Sequence, residues 1–429
     1  GLRQDTDTLD TWFSAGMWTF STLGWPNAFA GGVKAGDLAK FHPTDVLETG
    51  YEIITLWVSR MIMMSIFALG EIPFKNVYLH GMVLDKEGKK MSKTKGNGID
   101  PIVVGNEYGT DAVRLALLLG NTPGVDVRLS EEKIASFRNF VNKLWNVSRF
   151  IMSREAAEND GELSVADRWI SSRLAKFIPD LTGKIRAFDF SGAGDALRAF
   201  TLDDLADWYV EACKFDRSRV SDALARRVLE TVLKLWHPFM PFVTEVIWKE
   251  LCPNAPMLAV AAWPEAGAGE ADEEAERRFE LLRSVIVAIR NMRSEHRLEP
   301  SRKVKATIVA GASAAALEAG RTLIMSLRTG IEDLAVMETG AAPAGALYAT
   351  VQGIDIYLEA PLDSGAERAR LEKEIAYVTS GLRAVEAKLG NVEFKEKAPA
   401  ALVAAEEKKA GEYREALEKL QSQLSALAL

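Results

Sequence analysis

The clearest pattern lies near the C-terminal end. Leu371, Ile375, Val378, Leu382, Val385 and Leu389 recur at alternating intervals of four and three, a heptad seam. Residues 391–399 break it, and Tyr413, Leu417, Leu420, Leu424 and Leu427 resume the same spacing. Two heptad helices joined by a short turn predict an antiparallel α-helical coiled-coil hairpin over 362–429. Upstream, Phe137, Phe140, Val141, Leu144, Val147 and Phe150 mark the buried stripe of another helix. Its other face carries Arg138, Asn139, Asn142, Lys143, Asn146 and Arg149, and the pattern predicts an α-helical bundle over 129–268. Residues 304–309, 333–337 and 349–358 alternate like strands. With intervening helices they predict a small α+β connector over 269–361, entered through the Gly/Ala/Glu-rich linker 265–276. In 1–128, short strands at 46–49 and 77–84 are each followed by an apolar helix, at 53–69 and 111–119. This predicts an α/β layer, in which ligands bind at the carboxyl ends of parallel strands.

Composition narrows the function. The chain has 429 residues, too many for one core, so a multidomain protein is expected. Its apolar fraction of 48% and charged fraction of 26% are those of an ordinary globular protein. A net charge of −8 argues against general DNA coating but leaves room for RNA read through a local patch. Cys213 and Cys252 stand far apart and fit neither a disulfide framework nor a zinc ribbon. The apolar run 53–69 holds Arg60 near its middle and reads as a buried core helix, not a membrane span. The expected compartment is the cytoplasm.

Candidate chemistry gathers in Gly88-Lys89-Lys90-Met91-Ser92-Lys93-Thr94-Lys95-Gly96-Asn97. Four lysines fall within seven residues, each a compact cation with three donors. The bracketing glycines let the backbone approach a ligand closely. The apolar strand 77–84 leads into this loop, and an Asp-Pro turn at Asp100-Pro101 leads out. A charged loop held between buried elements suits a polyphosphate.

Lys90-Met91-Ser92-Lys93-Thr94 resembles the KMSKS signature of class I aminoacyl-tRNA synthetases, with Thr94 in place of the last serine. It follows a strand ending in H-G and precedes K-G-N. The stretch D-T-W-F-S-A-G-M-W-T-F-S-T-L-G-W-P, residues 10–26, is similar to the corresponding segment of valyl-tRNA synthetases, where isoleucyl enzymes read D-V-W-F-D-S-G. Thr49-Gly50-Tyr51-Glu52-Ile53 resembles the T-G-Y-D-I pattern, with glutamate replacing aspartate. Tyr108-Gly109-Thr110-Asp111-Ala112-Val113-Arg114 resembles Y-G-A-D-A-L-R, and Asp111 is expected to cap the helix it opens. The segment 138–146 resembles R-N-F-x-N-K-L-W-N, which opens the anticodon-binding bundle, and 207–214 and 235–242 resemble further bundle landmarks. Within the bundle Phe239, Phe242, Ile247 and Trp248 are expected in the core, and His237 as a packed side chain. Leu389 to Pro399 resembles L-x-N-x-x-F-x-x-K-A-P, the turn of the valyl arm that lies against the tRNA elbow.

The resemblance implies the C-terminal half of a Rossmann-type catalytic domain, followed by the bundle, the connector and the arm. It implies ATP binding through Gly50, Glu52, His80, Gly81, Val83, Lys90, Met91, Ser92 and Lys93, with Lys90 and Lys93 catalytic. Trp12 and Ile53 would wall the amino-acid pocket. The tRNA-facing candidates are Arg138, Asn142, Lys143, Arg149, Arg368, Arg370, Arg383, Lys388, Lys395 and Lys397. Mg²⁺ would accompany ATP, with no metal site built by the protein itself. The implied partners are valine, ATP and tRNA-Val, and the implied state is a monomer, since a hairpin buries its own seam. His42, His80, His237 and His296 form no H-I-G-H element, and no editing domain is legible, so the chain is expected to be an inactive C-terminal portion when alone. An isoleucyl enzyme or a free-standing tRNA-binding module are the alternatives.

Overall fold

The computed structural model describes residues 3–4, 6–92, 96–154, 160–215, 218–267, 271–359, 364–390 and 400–426. Two compact units divide the chain. One comprises 1–160, 173–210 and 218–271, the other 161–172, 211–217 and 272–429.

The first unit opens with α1 (Thr11–Gly16), capped by the Asp10 carboxylate, which accepts from the Trp12 amide at 3.2 Å. Residues 27–41 form a folded excursion. Phe29–Ala30 and Val33–Lys34 pair antiparallel around Gly31 and Gly32, and the helix Gly36–Phe41 buries Leu38 completely. A polar knot pins this excursion. The Lys34 ammonium donates to the His42 carbonyl at 2.6 Å and to Glu71 Oε1 at 2.5 Å. The buried His42 ring places Nδ1 3.2 Å from Glu71 Oε1 and Nε2 3.1 Å from Ser65 Oγ. Burial pushes His42 below the ordinary histidine value, and Glu71 only partly restores it. Burial pushes Glu71 upward, but Lys34 and His42 outweigh it and hold the carboxyl below its usual range.

Strands β1 (Thr44–Gly50) and β2 (Phe74–His80) run parallel, with Thr44 opposite Phe74 and Gly50 opposite His80. Between them the chain passes through a 3₁₀ turn, Tyr51–Ile53, a π-helical turn, Ile54–Val58, and α2 (Ser59–Leu69). The expectation of a buried core helix holds for one face only. Val58 and Met61 pack with Leu47 and Phe74, whereas Met63 and Ile66 are exposed and Phe67 is 92% exposed. By length and composition alone, Tyr51–Leu69 is apolar enough to cross a membrane. Its Arg60 is tied to Asp10 at 3.2 Å.

The strand expected at 77–84 breaks at Gly81. It resumes as β3 (Val83–Leu84), which pairs parallel with β4 (Val127–Arg128). Helix α3 (Pro101–Tyr108) starts at Asp100, whose carboxylate accepts from Ile102 N at 2.8 Å, with proline in the first turn. Helix α4 (Thr110–Leu118) follows. The next helix, α5 (Glu131–Met152), is capped by Ser130, whose hydroxyl accepts from Lys133 N at 3.2 Å. The remaining helices are α6 (Val165–Arg186), α7 (Phe190–Ala199), the π-helical Phe200–Tyr209, α8 (Arg219–Trp236) and α9 (Pro241–Leu251). Phe140 of α5 meets Trp236 of α8 with ring centroids 5.0 Å apart. Phe239, Ile247 and Trp248 are buried, and His237 Nδ1 lies 2.9 Å from Thr244 Oγ1. Phe242 is the exception at 58% exposed, because the first turn of α9 directs it away from the core.

Asp111 corrects another expectation. Helix α4 is capped at Gly109 without a side chain, and the buried Asp111 carboxylate reaches α9 instead. It accepts from Val243 N at 2.7 Å and Phe242 N at 3.3 Å. One turn on, the Arg114 guanidinium donates to the carbonyls of Phe239 at 3.1 Å and Pro238 at 3.0 Å. Burial pushes the Asp111 carboxyl upward, and the two amides offset this in part.

In the second unit, Trp169 stacks on Phe279 of α10 (Glu273–Glu295) at a centroid distance of 4.0 Å. A four-stranded sheet follows from β5 (Val304–Val309), β6 (Ile331–Met337), β7 (Leu347–Val351) and β8 (Ile354–Glu359), in the order β6-β5-β8-β7. The β5–β6 pair is parallel and the others antiparallel. The single strand expected at 349–358 is a hairpin, because Gln352 and Gly353, both at positive φ, make a two-residue turn. Helices α11 (Ser364–Gly390) and α12 (Ala400–Ala426) pack through the heptad seam, with Leu371, Val378 and Leu420 buried. Lys419 Nζ joins α12 to the sheet, 2.7 and 2.8 Å from the Asp355 carboxylate, and Tyr348 Oη donates to the same group at 2.9 Å. Burial pushes Tyr348 up to about 12. Burial also disfavours the Lys419 charge, but Asp355 and Tyr348 together hold the ammonium above the usual lysine range.

Two outcomes are expected. Asp111→Ala leaves two amides at the start of α9 without their acceptor and should lower stability by about 2 kcal/mol in urea unfolding. An unchanged midpoint would remove the joint from the structural account. The His42 knot predicts the second. Its folded value lies below the ordinary 6.5, so the unfolded chain takes up the proton first, and stability should begin to fall as pH drops below 6.5. The Glu71 contribution is present above 4.5 and is lost as pH falls through its lowered folded value. In melting curves, His42→Gln should flatten the first of these two losses and leave the part of the second that Lys34 supports.

Candidate functional site

The carboxyl ends of β1 and β2 lie side by side and place Gly50 next to His80. The Glu52 carboxylate turns back over the bare face of Gly50, where its Oε2 would lie 2.3 Å from any added Cβ. His80 Nδ1–H donates to the Gly81 carbonyl at 2.9 Å, and Nε2 faces Glu48 Oε1 at 3.3 Å. Gly81 is squeezed against the neighbouring segment, and a Cβ there would meet the Val125 carbonyl oxygen at 1.8 Å. Asp126 ties the strand ends together. Its Oδ1 accepts from Met82 N at 2.8 Å and from the Tyr51 hydroxyl at 3.1 Å, which raises the Tyr51 phenol above its ordinary value. A cavity of about 600 Å³ opens beside these ends, lined by Tyr78, His80, Gly81, Val83, Leu117 and Phe188 among others. Its mostly apolar wall, with a few polar groups at one side, suits a flat heterocycle.

The polar loop begins where β3 ends. Asp85 N donates to the Lys89 carbonyl at 2.9 Å, and Asp85 Oδ1 accepts from the amides of Glu87 at 3.0 Å and Lys89 at 2.8 Å. Gly88, at φ +81°, makes the turn. Lys89 is tied to Glu87 at 2.9 Å, whereas Lys90 is exposed and has no ion pair among the described residues. Met91 and Ser92 are half-buried; Lys93 lies outside the described residues. The half-buried Trp12 lies on α1 and the half-buried Ile53 ends the 3₁₀ turn; the π-helical turn that follows is tied to α1 by the Trp57 indole N–H, which donates to the Ala15 carbonyl at 3.1 Å. Among the described residues no three His, Cys, Asp or Glu side chains gather as for a metal.

The polar face of α5 is open. Arg138, Asn142, Lys143 and Arg149 are all exposed, although Lys143 is held 3.3 Å from Asp207 and Arg138 leans on the Tyr108 ring. On the hairpin, Arg383 is exposed and unpaired among the described residues, while Lys388 is bound to Glu406 across the two helices. Arg368 and Arg370 lie on α11 with side chains outside the described ones, and Lys395 and Lys397 lie outside the described residues.

Three family models match in succession. Residues 1–130 match the class I tRNA synthetases (I, L, M and V), 167–308 the anticodon-binding domain of tRNA ligases, and 363–428 the valyl tRNA synthetase tRNA binding arm. The chain belongs to the valyl-tRNA synthetase family. It is 40% identical over 439 residues to the valine–tRNA ligase of Dehalococcoides mccartyi, covering 98% of this chain and 49% of that one. For the valine–tRNA ligase of Bacillus cereus the identity is 40% over 441 residues, covering 99% and 50%. The chain thus spans about half the length of the curated relatives it matches. A crystal structure of the ternary complex of Agrobacterium radiobacter K84 LeuRS with tRNA and LeuAMS aligns at a TM-score of 0.51 and 24% identity, over 63% of this chain and 34% of that one. The fold is accordingly that of an aminoacyl-tRNA synthetase with a helical anticodon-binding region and mixed sheets.

Within this family frame, three groups at the site escape sequence reasoning. Sequence pattern places Asp126 only before a helix, and Asp85 and Asn97 only beside the lysines. Their roles come from contacts across the loop, which no periodicity reports. Gly81 supplies the prediction. Gly81→Ala should cost about 3 kcal/mol in thermal unfolding, since the Val125 main chain cannot withdraw. Gly98→Ala, with nothing within 4 Å of the added Cβ, is the matched control and should be tolerated. Equal melting of the two variants would contradict the close approach.

Proposed function

We propose that this chain carries the KMSK half of the active site, the anticodon-binding bundle and the tRNA arm of a valine–tRNA ligase. One observation carries the reading: a K-M-S-K loop rooted beside two parallel strand ends, in one chain with a hairpin of the valyl arm type. The proposed domains are 1–128 for the C-terminal half of the Rossmann-type catalytic domain, 129–268 for the bundle, 269–361 for the connector and 362–429 for the arm.

In this reaction the carboxylate of valine attacks the α-phosphate of ATP, and pyrophosphate leaves. Lys90 and Lys93 bind the departing phosphates and take up the charge that develops on them, an interaction that strengthens towards the transition state. Gly50 and Glu52 receive the ribose, with the Glu52 carboxylate accepting from its hydroxyls. His80, Gly81 and Val83 line the base side, supported by the apolar cavity. Trp12 and Ile53 bound the valine side chain. The terminal ribose hydroxyl of tRNA-Val then attacks the valyl carbonyl of the adenylate, forming the ester as the acyl–phosphate bond breaks and AMP leaves. Mg²⁺ enters as part of the Mg·ATP substrate. Arg138, Asn142, Lys143 and Arg149 face the tRNA from α5, and Arg383 leads the cations of the arm. The protein acts as a cytoplasmic monomer.

The arm gives the sharpest test, because residues 363–419 hold twelve acids and eleven bases and form no general cationic clamp. Deleting 364–429 should weaken tRNA-Val binding and lower the salt slope by about one unit for each phosphate that the arm neutralises. A dimerisation coiled coil predicts the contrary: sedimentation would shift from dimer to monomer with tRNA affinity intact, and that result would overturn the reading of the arm.

A further inference from the structure

The lysine loop is closed at its root by one side chain. Asn97 Oδ1 accepts from Ser92 N at 3.0 Å, and Asn97 Nδ2 donates to Asp85 Oδ2 at 2.7 Å and to the Lys90 carbonyl at 3.3 Å. The same carboxamide therefore grips the main chain on both sides of Met91. Asp85 is itself fixed, because it directly follows β3, and Leu84 of that strand bridges to Lys90. The Lys89 amide and then the Asn97 side chain hold the Asp85 carboxyl below the usual carboxylate range, so it stays an acceptor. Among short side chains only an asparagine offers two donors and an acceptor in one plane. The lysines differ accordingly: Lys89 is turned onto Glu87, while Lys90 projects without an ion pair among the described residues from the fixed strip of main chain.

We propose that Asn97 is a positioning residue which, latched to Asp85, fixes the main chain at Lys90 and Ser92 so that the Lys90 ammonium is presented to a polyphosphate. The presentation step rests on the functional reading above; the latch itself rests on the hydrogen bonds. A carboxylate at 97 would face the Asp85 carboxylate and open the latch. Exchanging the two groups restores the 85–97 hydrogen bond, since the amide at 85 then donates to the carboxylate at 97, whose other oxygen still accepts from Ser92 N, while the longer donation to the Lys90 carbonyl is lost.

The experiment compares the full chain with Asn97→Asp and with the exchange Asp85→Asn/Asn97→Asp. It measures inorganic pyrophosphate binding by calorimetry, amide hydrogen exchange at Lys89 and Ser92, and thermal unfolding. Asn97→Asp should speed exchange at Ser92 about tenfold and weaken pyrophosphate about tenfold, with the melting temperature unchanged. The exchanged pair should recover the protection at Ser92 and part of the pyrophosphate affinity, which a role in bulk stability would not reproduce. An Asn97→Asp chain indistinguishable from wild type, or an exchanged pair no better than the single variant, overturns the latch. Faster exchange with undiminished pyrophosphate affinity overturns the positioning role. If wild type binds no pyrophosphate while exchange still follows the swap, the polyphosphate reading fails and the latch stands.

Discussion

A buried carboxylate at the foot of a distant helix sets the geometry of the first unit. Helix α9 begins with Pro241, and Met240 before it offers no side-chain acceptor, so the amides of Phe242 and Val243 need one from elsewhere. Asp111 of α4 provides it and meets the positive end of the helix dipole. Arg114, one turn further along the same face, takes the carbonyls of Pro238 and Phe239 just beyond the end of α8. Acid and base thus match the two polarities of a single helix junction. A lysine in place of Arg114 would bring the charge without the planar fork that spans two carbonyls.

This joint extends back to the site through a short run of local devices. Asn97 holds the loop, Asp100 three residues later caps α3, and α3 passes directly into α4 with its Asp111. The lysine loop and the α8–α9 junction are therefore referenced to one another through consecutive caps, each with a measurable hydrogen bond. Tyr108, at the end of α3, adds a contact on the same path, since the Arg138 guanidinium of the exposed α5 face lies over its ring.

What can be read from the sequence is local. Ser130 followed by two glutamates predicts the start of α5, and the four-three spacing predicts the seam of the hairpin, because both signals lie within a few turns of one helix. Asp111 shows the opposite case. Its position in the first turn of a helix satisfies the rule for a local cap, and the acceptor is claimed by amides more than a hundred residues away. Gly81 looks like an ordinary strand residue, since a collision with Val125 leaves no trace in alternation. The Gln352-Gly353 turn is legible in principle, because a glycine at the second position of a two-residue turn is a hairpin signal, but uninterrupted alternation over 349–358 obscures it. The run 53–69 is apolar on all sides, and periodicity cannot distinguish the face that α2 buries from the one it leaves open.

The hairpin shows how structure revises a set of candidate cations. From sequence Arg368, Arg370, Arg383, Lys388, Lys395 and Lys397 stand as equal candidates on it to meet RNA. In the folded arm Lys388 reaches Glu406, Arg414 reaches Glu386 at 2.7 Å, and Lys419 is held by Asp355, so these cations fasten helix to helix or helix to sheet. The two exposed cross-helix pairs each contribute little to stability, yet a phosphate would have to displace a carboxylate to use them. Arg383 faces no such competition among the described residues and can meet a phosphate with both arms of its guanidinium. A near-neutral arm can therefore bind RNA selectively where some of its cations are engaged by carboxylates and those left over define where the backbone of the partner must run.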